Sequence, residues 1–412
     1  MKILLCTYWT IPHLGGVWAY MQQLKKGLEE YGHEVDLMGN GEDNNIVYIV
    51  GSDKKVEKHD ILPFLQAKMP PSMYPDLYSN KLLEYTEFQR YFFELAAAYI
   101  GLDQYDLIHT QDVISTAGIR RVNAKNVPLI ATIHGSVARE VNQQLGNIHK
   151  ESNSYVVKEY YDELEKFGAR ASDLSIVANH WLKEILIEEF DVPEDHLRVL
   201  HYGFDTEGFV KQRHENVMIE RPANKKVIIY TGRLVELKGV QYLLQALAKL
   251  KAVRQDWVCW VIGEGDMKKE LQLLSRSLKI EDDVFFLGRQ DGIPSLLAKS
   301  HIYVLPSLID NQPLSLIEAQ LAGKPCIVTN AGGLSEMVKH NITGLLTEPK
   351  DVNGLFENLN LLLSNPIAAE ILGRNAKKWG MTHWSYEKGI RNLLQMYEEV
   401  ISMRKTGDEH VK

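Results

Sequence analysis

Short apolar segments alternate with helical periodicity along the whole chain of 412 residues. Near the amino end, residues 3–7 have the apolar character of a strand. Apolar residues then recur three or four positions apart from Val17 to Tyr31, which is the spacing of an amphipathic helix. Gly32 is placed to end this helix, and residues 33–38 form the next strand candidate. The pattern predicts a βαβ unit.

The same alternation continues in two series, separated by the polar segment 211–226. The first series contains the strand candidates 46–50, 107–110, 128–133, 174–177 and 197–201. The second contains 227–231, 258–262, 284–287, 302–305, 326–328 and 344–346. Strands separated by helices predict parallel sheets that are covered on both faces. We therefore predict an α/β protein with two doubly wound domains, facing each other across a cleft that holds the ligands.

Two segments fit this alternation less well. Residues 60–101 are rich in Tyr, Phe and Met, with Pro70, Pro71 and Pro75 among them. They form either a helical insertion that shapes an acceptor pocket or a helix of the core. Residues 142–166 are polar and charged, and we predict a loop that leads into a helix.

Composition and charge exclude several classes of protein. The formal net charge of −8 argues against a nucleic-acid-binding protein, which would be basic. No stretch of eighteen apolar residues could span a membrane, and the apolar segment at the amino end is too short for a secretory signal. Cys6, Cys259 and Cys326 lie in or beside apolar segments, so we expect three core thiols and no disulfides. A cytoplasmic protein is expected.

Two segments of the second series carry the chemistry. In YTGRLVELKG (230–239), Arg233 and Lys238 follow a predicted strand. In SLIDNQPLSLIEA (307–319), Asp310 and Glu318 lie eight positions apart, with Pro313 where a helix would begin. Cations and a helix N-terminus bind a diphosphate, and carboxylates accept hydrogen bonds from ribose and sugar hydroxyls. These residue types together indicate an enzyme that uses a nucleotide sugar.

The chain resembles the retaining glycosyltransferases of glycosyltransferase family 4. The resemblance extends over nearly the whole length and includes ten segments in the order typical of the family: Gly15-Gly16, HTQD (109–112), TIHG (132–135), HYGFDTEGF (201–209), GRLVELKG (232–239), IGEGD (262–266), VFFLG (284–288), the acidic segment 307–319, AGGLSEMV (331–338) and NITGLL (341–346).

The resemblance implies the GT-B architecture of two Rossmann-like domains. Residues 1–206 would form the acceptor-binding domain, and a helix at about 388–412 would pack back on it. Residues 207–387 would form the donor-binding domain.

The resemblance also implies roles in the donor domain. Arg233 and Lys238 would bind the diphosphate and stabilise it as it leaves. Glu318 matches the second acid of the family's E-x7-E motif and would accept the ribose hydroxyls. Asp310 stands where the first Glu is usual. This shorter acid either still contacts the sugar in catalysis, tunes the choice of donor sugar or weakens activity, or is a plain helix cap.

Backbone groups complete the expected donor site. Leu314 and Ser315 would offer N–H groups to the phosphates, and Arg289 lies where the family's backbone meets the nucleobase. Gly15 and Gly16 would let the backbone approach the diphosphate, although a Gly pair also suits an ordinary strand-to-helix turn.

Two histidines lie at strand ends of the first series. His134 resembles the family's histidine near the donor sugar and is a catalytic candidate, whereas His109 is expected to bridge loops. Gln111 stands where many members carry a second histidine, which removes one polar contact of the family's pattern.

The implied reaction is transfer of a sugar to an acceptor hydroxyl with retention of configuration, through displacement on one face. A UDP-sugar is favoured by family prevalence, and no cofactor or metal ion is expected because no Asp-x-Asp motif stands at a strand end. The acceptor is a small molecule, a glycan or a lipid-linked sugar, the last with a peripheral membrane contact. A nucleotide-sugar epimerase and a non-catalytic nucleotide-sugar-binding protein are the alternatives.

Overall fold

A computed structural model describes residues 1–12, 16–148, 154–212 and 218–409. The chain divides into two compact units, one of Met1–Leu200 with Glu387–Lys412 and one of His201–Tyr386. The division falls a few residues before the boundary that the family resemblance implies. Gly15, the first glycine of the pair, lies outside the described residues, as does part of the polar segment 211–226.

Unit 1 is built on an eight-stranded sheet with the order β4-β3-β2-β1-β5-β6-β7-β8. Its strands are β1 (Lys2–Thr10), β2 (Glu34–Asn40), β3 (Ile46–Ile49), β4 (Lys55–Glu57), β5 (Leu107–Thr110), β6 (Leu129–Ile133), β7 (Leu174–Val177) and β8 (Leu197–Val199). Each strand candidate of the first series is confirmed, and β4 is an additional strand.

The expectation of a wholly parallel sheet is wrong at one edge. Strand β3 pairs antiparallel with β2, and β4 pairs antiparallel with β3. Only five residues join β2 to β3. A connection this short can make a hairpin but cannot cross the sheet to a parallel strand.

The helices of unit 1 are α1 (Gly16–Glu30), α2 (Lys58–Lys68), α3 (Pro75–Tyr78), α4 (Lys81–Ile100), α5 (Val113–Val122), α6 (Val137–Ile148), α7 (Ser154–Arg170) and α8 (His180–Glu188). The helix predicted towards the end of 142–166 is confirmed by α7, but the loop predicted before it is wrong at 142–148, where α6 continues. Between them, residues 149–153 lie outside the described residues.

The aromatic segment 60–101 consists of α2, α3 and α4. Helix α4 packs into the core through Phe92 and Phe93, which are fully buried. The core-helix interpretation is confirmed for this part. The amino-terminal half of α4 and the whole of α2 are more exposed, and they line a cavity that is described below.

Unit 2 has a six-stranded, wholly parallel sheet with the order β11-β10-β9-β12-β13-β14. Its strands are β9 (Lys226–Thr231), β10 (Trp257–Ile262), β11 (Val284–Gly288), β12 (Ile302–Leu305), β13 (Cys326–Thr329) and β14 (Gly344–Thr347). Its helices are α9 (Thr206–Gln212), α10 (Val240–Val253), α11 (Lys268–Ser277), α12 (Ile293–Lys299), α13 (Leu314–Leu321), α14 (Leu334–Met337), α15 (Val352–Ser364) and α16 (Pro366–His383).

The apolar composition of the central strands follows from this layering. Every residue of β10, β12 and β13 is buried, since helices cover both faces of a parallel sheet. The three cysteines are free thiols in buried strand positions, which confirms the prediction of core thiols.

The last helix, α17 (Tyr386–Glu409), returns the chain to unit 1. Arg404 pairs there with Asp173, and Tyr397 is completely buried.

Candidate functional site

The order of strands in unit 2 reverses between β9 and β12. From β9 the chain builds outwards to β10 and β11, and it then returns to place β12 on the other side of β9. Ligands of open α/β sheets bind at the carboxyl ends of the strands, at such a point of reversal. Arg233 follows β9 and Asp310 follows β12, so the two segments that the sequence singled out lie at this point.

Lys238 and Asp310 form an ion pair at the centre of the site. The ammonium Nζ of Lys238 donates to Oδ2 of Asp310 at 2.6 Å. The two side chains are only 15% and 11% exposed, so water screens the pair weakly. Lys238 has three N–H donors, which leaves donors for a phosphate oxygen while the pair persists.

Several groups hold Asp310 in place. The hydroxyl of Ser307 donates to the same carboxylate oxygen at 2.9 Å, and the N–H of Gly333 donates to the Asp310 carbonyl at 2.9 Å. Gly332 has a φ of +62°, and a Cβ there would lie 2.1 Å from that carbonyl oxygen. Helix α13 has Pro313 as its cap residue and no side-chain cap, so the plain-cap interpretation of Asp310 is wrong.

Arg233 contributes the exposed cation of the site. The hydroxyl of Tyr230 donates to its carbonyl oxygen at 2.7 Å and holds the backbone of this turn. Within the described residues, the guanidinium forms no hydrogen bond or ion pair. Its charge is therefore available to an anionic ligand.

Helix α13 offers donors next to the carboxylate. The first backbone hydrogen bond at its start is from the N–H of Leu316 to the Pro313 carbonyl at 3.1 Å. In the part of the chain that the structure describes, the N–H groups of Leu314 and Ser315 have no acceptor, as expected for the first turn. Tyr303 donates to the Ser315 hydroxyl at 2.9 Å, so this hydroxyl keeps its own proton to donate.

Glu318 lies one turn further along α13 and is partly buried. Its carboxylate has no hydrogen bond or ion pair among the described residues. Burial raises the pKa of this carboxyl to about 7, because the charged form loses solvation without gaining a partner. An unpartnered acceptor in this position suits a ligand that carries hydroxyl groups.

Arg289 lies at the same carboxyl edge of the sheet, where the N–H of Gly263 after β10 donates to the carbonyl of Gly288, the residue before Arg289, at 2.9 Å. It follows β11, the edge strand two positions from β9 in the sheet order, and it is exposed. Its guanidinium lies 3.7 Å from the carboxylate of Asp291.

In unit 1, His134 follows β6 and is partly buried. Its Nε2 lies 3.1 Å from the amide oxygen of Gln111, and its ring packs edge-on against Tyr20 with 5.1 Å between centroids. Burial lowers the pKa of His134 to about 3, so the imidazole is neutral. Gln111 thus supplies a polar contact of its own at the position where a second histidine is usual.

His109 connects buried polar side chains from distant parts of unit 1. Its Nδ1 lies 2.7 Å from the hydroxyl of Tyr397 on α17, and its Nε2 lies 2.7 Å from the hydroxyl of Thr132. Burial, with the nearby His134, lowers the pKa of His109 to about 3. His109 therefore connects distant parts of unit 1, but the expectation that it bridges loops is wrong, because its partners lie on strand β6 and helix α17.

Gly16 is the first residue of α1 and is exposed, and a Cβ there would contact nothing within 4 Å. Among the described residues, no group of three His, Cys, Asp or Glu side chains is arranged to hold a metal ion. No described helix is long and apolar enough to cross a membrane.

Comparison with known proteins agrees with this geometry. The Glycosyl transferases group 1 family model matches residues 212–379, and the Glycosyltransferase Family 4 model matches residues 14–208. The chain is a family 4 glycosyltransferase. An uncharacterized glycosyltransferase of Methanocaldococcus jannaschii is 26% identical to it over an alignment that covers 98% of this chain and 99% of the relative.

Two solved structures share the fold of this glycosyltransferase. Sucrose-phosphate synthase from Thermosynechococcus elongatus superposes with a TM-score of 0.74 at 20% identity, covering 98% of this chain and 99% of that one. The Anabaena protein HepE in complex with UDP-glucose superposes with a TM-score of 0.68 at 18% identity, covering 97% and 100%. The GT-B fold class is confirmed.

Three supporting residues of the glycosyltransferase were not predicted. Ser307 belongs to the acidic segment, so its place in that segment was an available signal. Tyr230 and Tyr303 lie in buried strands, where a tyrosine is indistinguishable from other core residues in sequence. The Tyr230 hydroxyl contacts the turn three positions further along the chain, and the Tyr303 hydroxyl contacts the start of α13 twelve positions further along.

Proposed function

We propose that this glycosyltransferase transfers a sugar from a UDP-sugar to an acceptor hydroxyl, with retention of configuration and without a metal ion. The observation that carries the proposal is the convergence, at one strand reversal, of Arg233, the Lys238–Asp310 pair and the open N-terminus of α13. UDP is favoured because the structurally similar HepE is described in complex with UDP-glucose.

In this proposal, the diphosphate lies against the N–H groups of Leu314 and Ser315, with Arg233 and Lys238 neutralising its charge. Glu318 accepts hydrogen bonds from the ribose hydroxyls, and Asp310 accepts from the sugar through the carboxylate oxygen that faces away from Lys238. The two cations supply the positive charge that a metal ion provides elsewhere.

The bond between the anomeric carbon and the phosphate oxygen breaks as the bond to the acceptor oxygen forms on the same face of the sugar. The acceptor proton moves to the departing phosphate oxygen. Negative charge grows on the diphosphate during this step, so donors that already point at it stabilise the transition state more than the ground state.

His134 would act in its neutral form. A histidine with a pKa of about 3 is unprotonated at neutral pH, so it contributes a hydrogen bond and not a positive charge. As the family resemblance predicts, Gly15 and Gly16 would let the backbone approach the diphosphate, and the backbone at Arg289 would meet the nucleobase.

The donor is identified by calorimetry of the full-length protein with UDP-, GDP- and ADP-linked sugars. We expect one nucleotide series to bind, and Arg233→Ala to weaken that binding by roughly tenfold or more, since a charged hydrogen bond is lost. Lys269→Ala is the matched control, because Lys269 is an exposed cation of the same unit. Equal affinity in Arg233→Ala and wild type would contradict the donor site.

Turnover is then measured against a panel of acceptors, with the anomeric configuration of the product read by NMR. We expect retention, and equal rates with EDTA and with magnesium. An inverted product, or activity that EDTA abolishes and magnesium restores, would refute those parts of the proposal. Release of an epimerised nucleotide sugar without acceptor would identify an epimerase, and tight binding without any turnover a non-catalytic protein.

A further inference from the structure

A cavity of about 420 Å³ lies in unit 1 between α2, α3 and the first turns of α4. Its apolar wall consists of Leu62, Tyr78, Tyr85 and Phe88, and its polar rim includes Lys58 and Glu84. The volume is in the range of small-molecule sites, and aromatic faces of this kind pack against the C–H groups of a ring.

The cavity lies at the carboxyl edge of the sheet. Strand β4 is antiparallel to β3 and β3 is antiparallel to β2, so β4 runs in the same direction as β2. Lys58 immediately follows β4, and Asn44 in the loop after β2 donates to the Tyr85 hydroxyl at 3.4 Å. Ligands of α/β sheets bind at this edge.

Lys58 differs from Lys81, the other lysine that lines the cavity, and from Lys55 on the preceding strand β4. Lys81 pairs with Glu84 at 2.8 Å, and Lys55 pairs with Glu57 at 2.9 Å. The Lys58 ammonium lies 5.7 Å from the ring centroid of Tyr85, and within the described residues it has no hydrogen bond or ion pair.

The surroundings of Lys58 favour an anionic partner. Partial burial lowers the pKa of Lys58, while the charge of Asp43 acts in the opposite direction. Because desolvation disfavours its charge and no carboxylate bonds to it, a bound anion would stabilise the ammonium.

We propose that this cavity is an acceptor subsite for a ring compound that carries a phosphate or carboxylate group. The ring packs against Tyr85 and Phe88, and Lys58 pairs with the anion. This inference rests on the proposed transferase function, because it treats the ligand as the sugar acceptor.

The test is binding of glucose 6-phosphate, glucuronate and glucose to the full-length protein, measured by NMR titration at low ionic strength. We expect glucose 6-phosphate or glucuronate to bind roughly tenfold more tightly than glucose, as one charged hydrogen bond supports. The stronger of the two identifies phosphate or carboxylate as the recognised group. Added salt should reduce the difference.

Variants locate the site. Lys58→Ala should remove most of the preference for the anionic probes, and Lys58→Arg should retain it. Lys68→Ala is the matched control, because Lys68 is an exposed lysine at the other end of α2 and does not line the cavity. Tyr85→Ala should weaken the ring probes but leave inorganic phosphate unchanged. Since Lys58 and Tyr85 are not core residues, these variants should fold.

Equal binding of charged and neutral probes, or a preference that survives Lys58→Ala, would overturn the inference. UDP-sugar affinity is measured on the same samples and should not change in Lys58→Ala. A protein that binds UDP-sugar without preferring the anionic probes loses only the subsite. A protein that prefers the anionic probes but binds no nucleotide sugar retains the cavity as an anion site and loses the transferase proposal.

Discussion

Replacing Glu318 with glutamine should make the protein more stable and a weaker binder of its donor, with both effects growing as the pH rises. The carboxyl is partly buried and has no partner among the described residues, and burial raises its pKa from 4.5 to about 7. Glutamine keeps the shape but cannot ionise.

The stability effect follows from proton binding. Between about pH 4.5 and about pH 7, the folded state holds a proton that the unfolded chain has released. Stability contributed by this group therefore falls as the pH rises across that window, by on the order of 1–3 kcal/mol. Glu318→Gln removes this loss, so its advantage over wild type should be small at about pH 5 and largest at about pH 8.

The binding effect has the opposite sign. If ribose hydroxyls donate to the ionised carboxylate, the acceptor is about one-tenth charged at about pH 6 and about nine-tenths charged at about pH 8. The wild-type Kd should then fall by roughly tenfold over this range. Glu318→Gln should bind weakly and without that pH dependence.

Calorimetry with a UDP-sugar measures the affinity, since this diester has no phosphate group that titrates near pH 7, unlike UDP. Thermal unfolding of the ligand-free protein at the same pH values measures stability. Glu357→Gln, an exposed carboxylate of α15, is the control and should change neither.

A wild-type affinity that does not change from about pH 6 to about pH 8, or a pH slope that survives in Glu318→Gln, would refute the role of Glu318 as the ribose acceptor. A variant no more stable than wild type at about pH 8 would show that the buried carboxylate carries no desolvation cost.

Three further predictions concern contacts within one unit or the other. Lys238→Ala leaves the mostly buried Asp310 carboxylate without its cation and should lower the free energy of unfolding by about 3 kcal/mol in denaturant titrations. Adding Asp310→Asn should recover part of this loss. Equal losses in the single and double variants would contradict the ion pair. Gly239→Ala should destabilise by about 2 kcal/mol or more, because φ is +66° and a Cβ would lie 1.9 Å from the Pro306 carbonyl oxygen; an unchanged melting temperature would be inconsistent with this. Tyr397→Phe removes the hydroxyl partner of buried His109 and should cost about 1–3 kcal/mol, whereas no change in chemical denaturation would mean that water replaces it.

Sequence reasoning was most successful where one physical signal dominates locally. The strands of both series were predicted because burial on two faces demands continuous apolar segments. The turn after β9 was predicted as a site of cations because Arg233 and Lys238 follow such a segment. The hairpin of β3 and the short strand β4 were less accessible, since three residues of β4 carry too little periodicity.

Other features are properties of the sheet and not of any segment. Asp310 is 72 positions from Lys238, and no local pattern indicates that its carboxylate pairs with that ammonium. The same holds for Tyr397, which reaches His109 across 288 positions. Lys238 and Asp310 meet because parallel strands bring their carboxyl ends to one edge of the sheet. Tyr397 meets His109 because α17 returns the chain to unit 1.

The sequence by itself determined the family, the α/β class and the residue types of the donor site, because these depend on local periodicity and on motifs of fixed spacing. Only the tertiary structure decided which acid is paired and which is open. Asp310 pairs with Lys238, which follows the neighbouring strand β9. Glu318 is desolvated on α13 without a cation beside it. Charge state depends on what surrounds a group in space, and that environment is assembled from chain segments far apart in sequence.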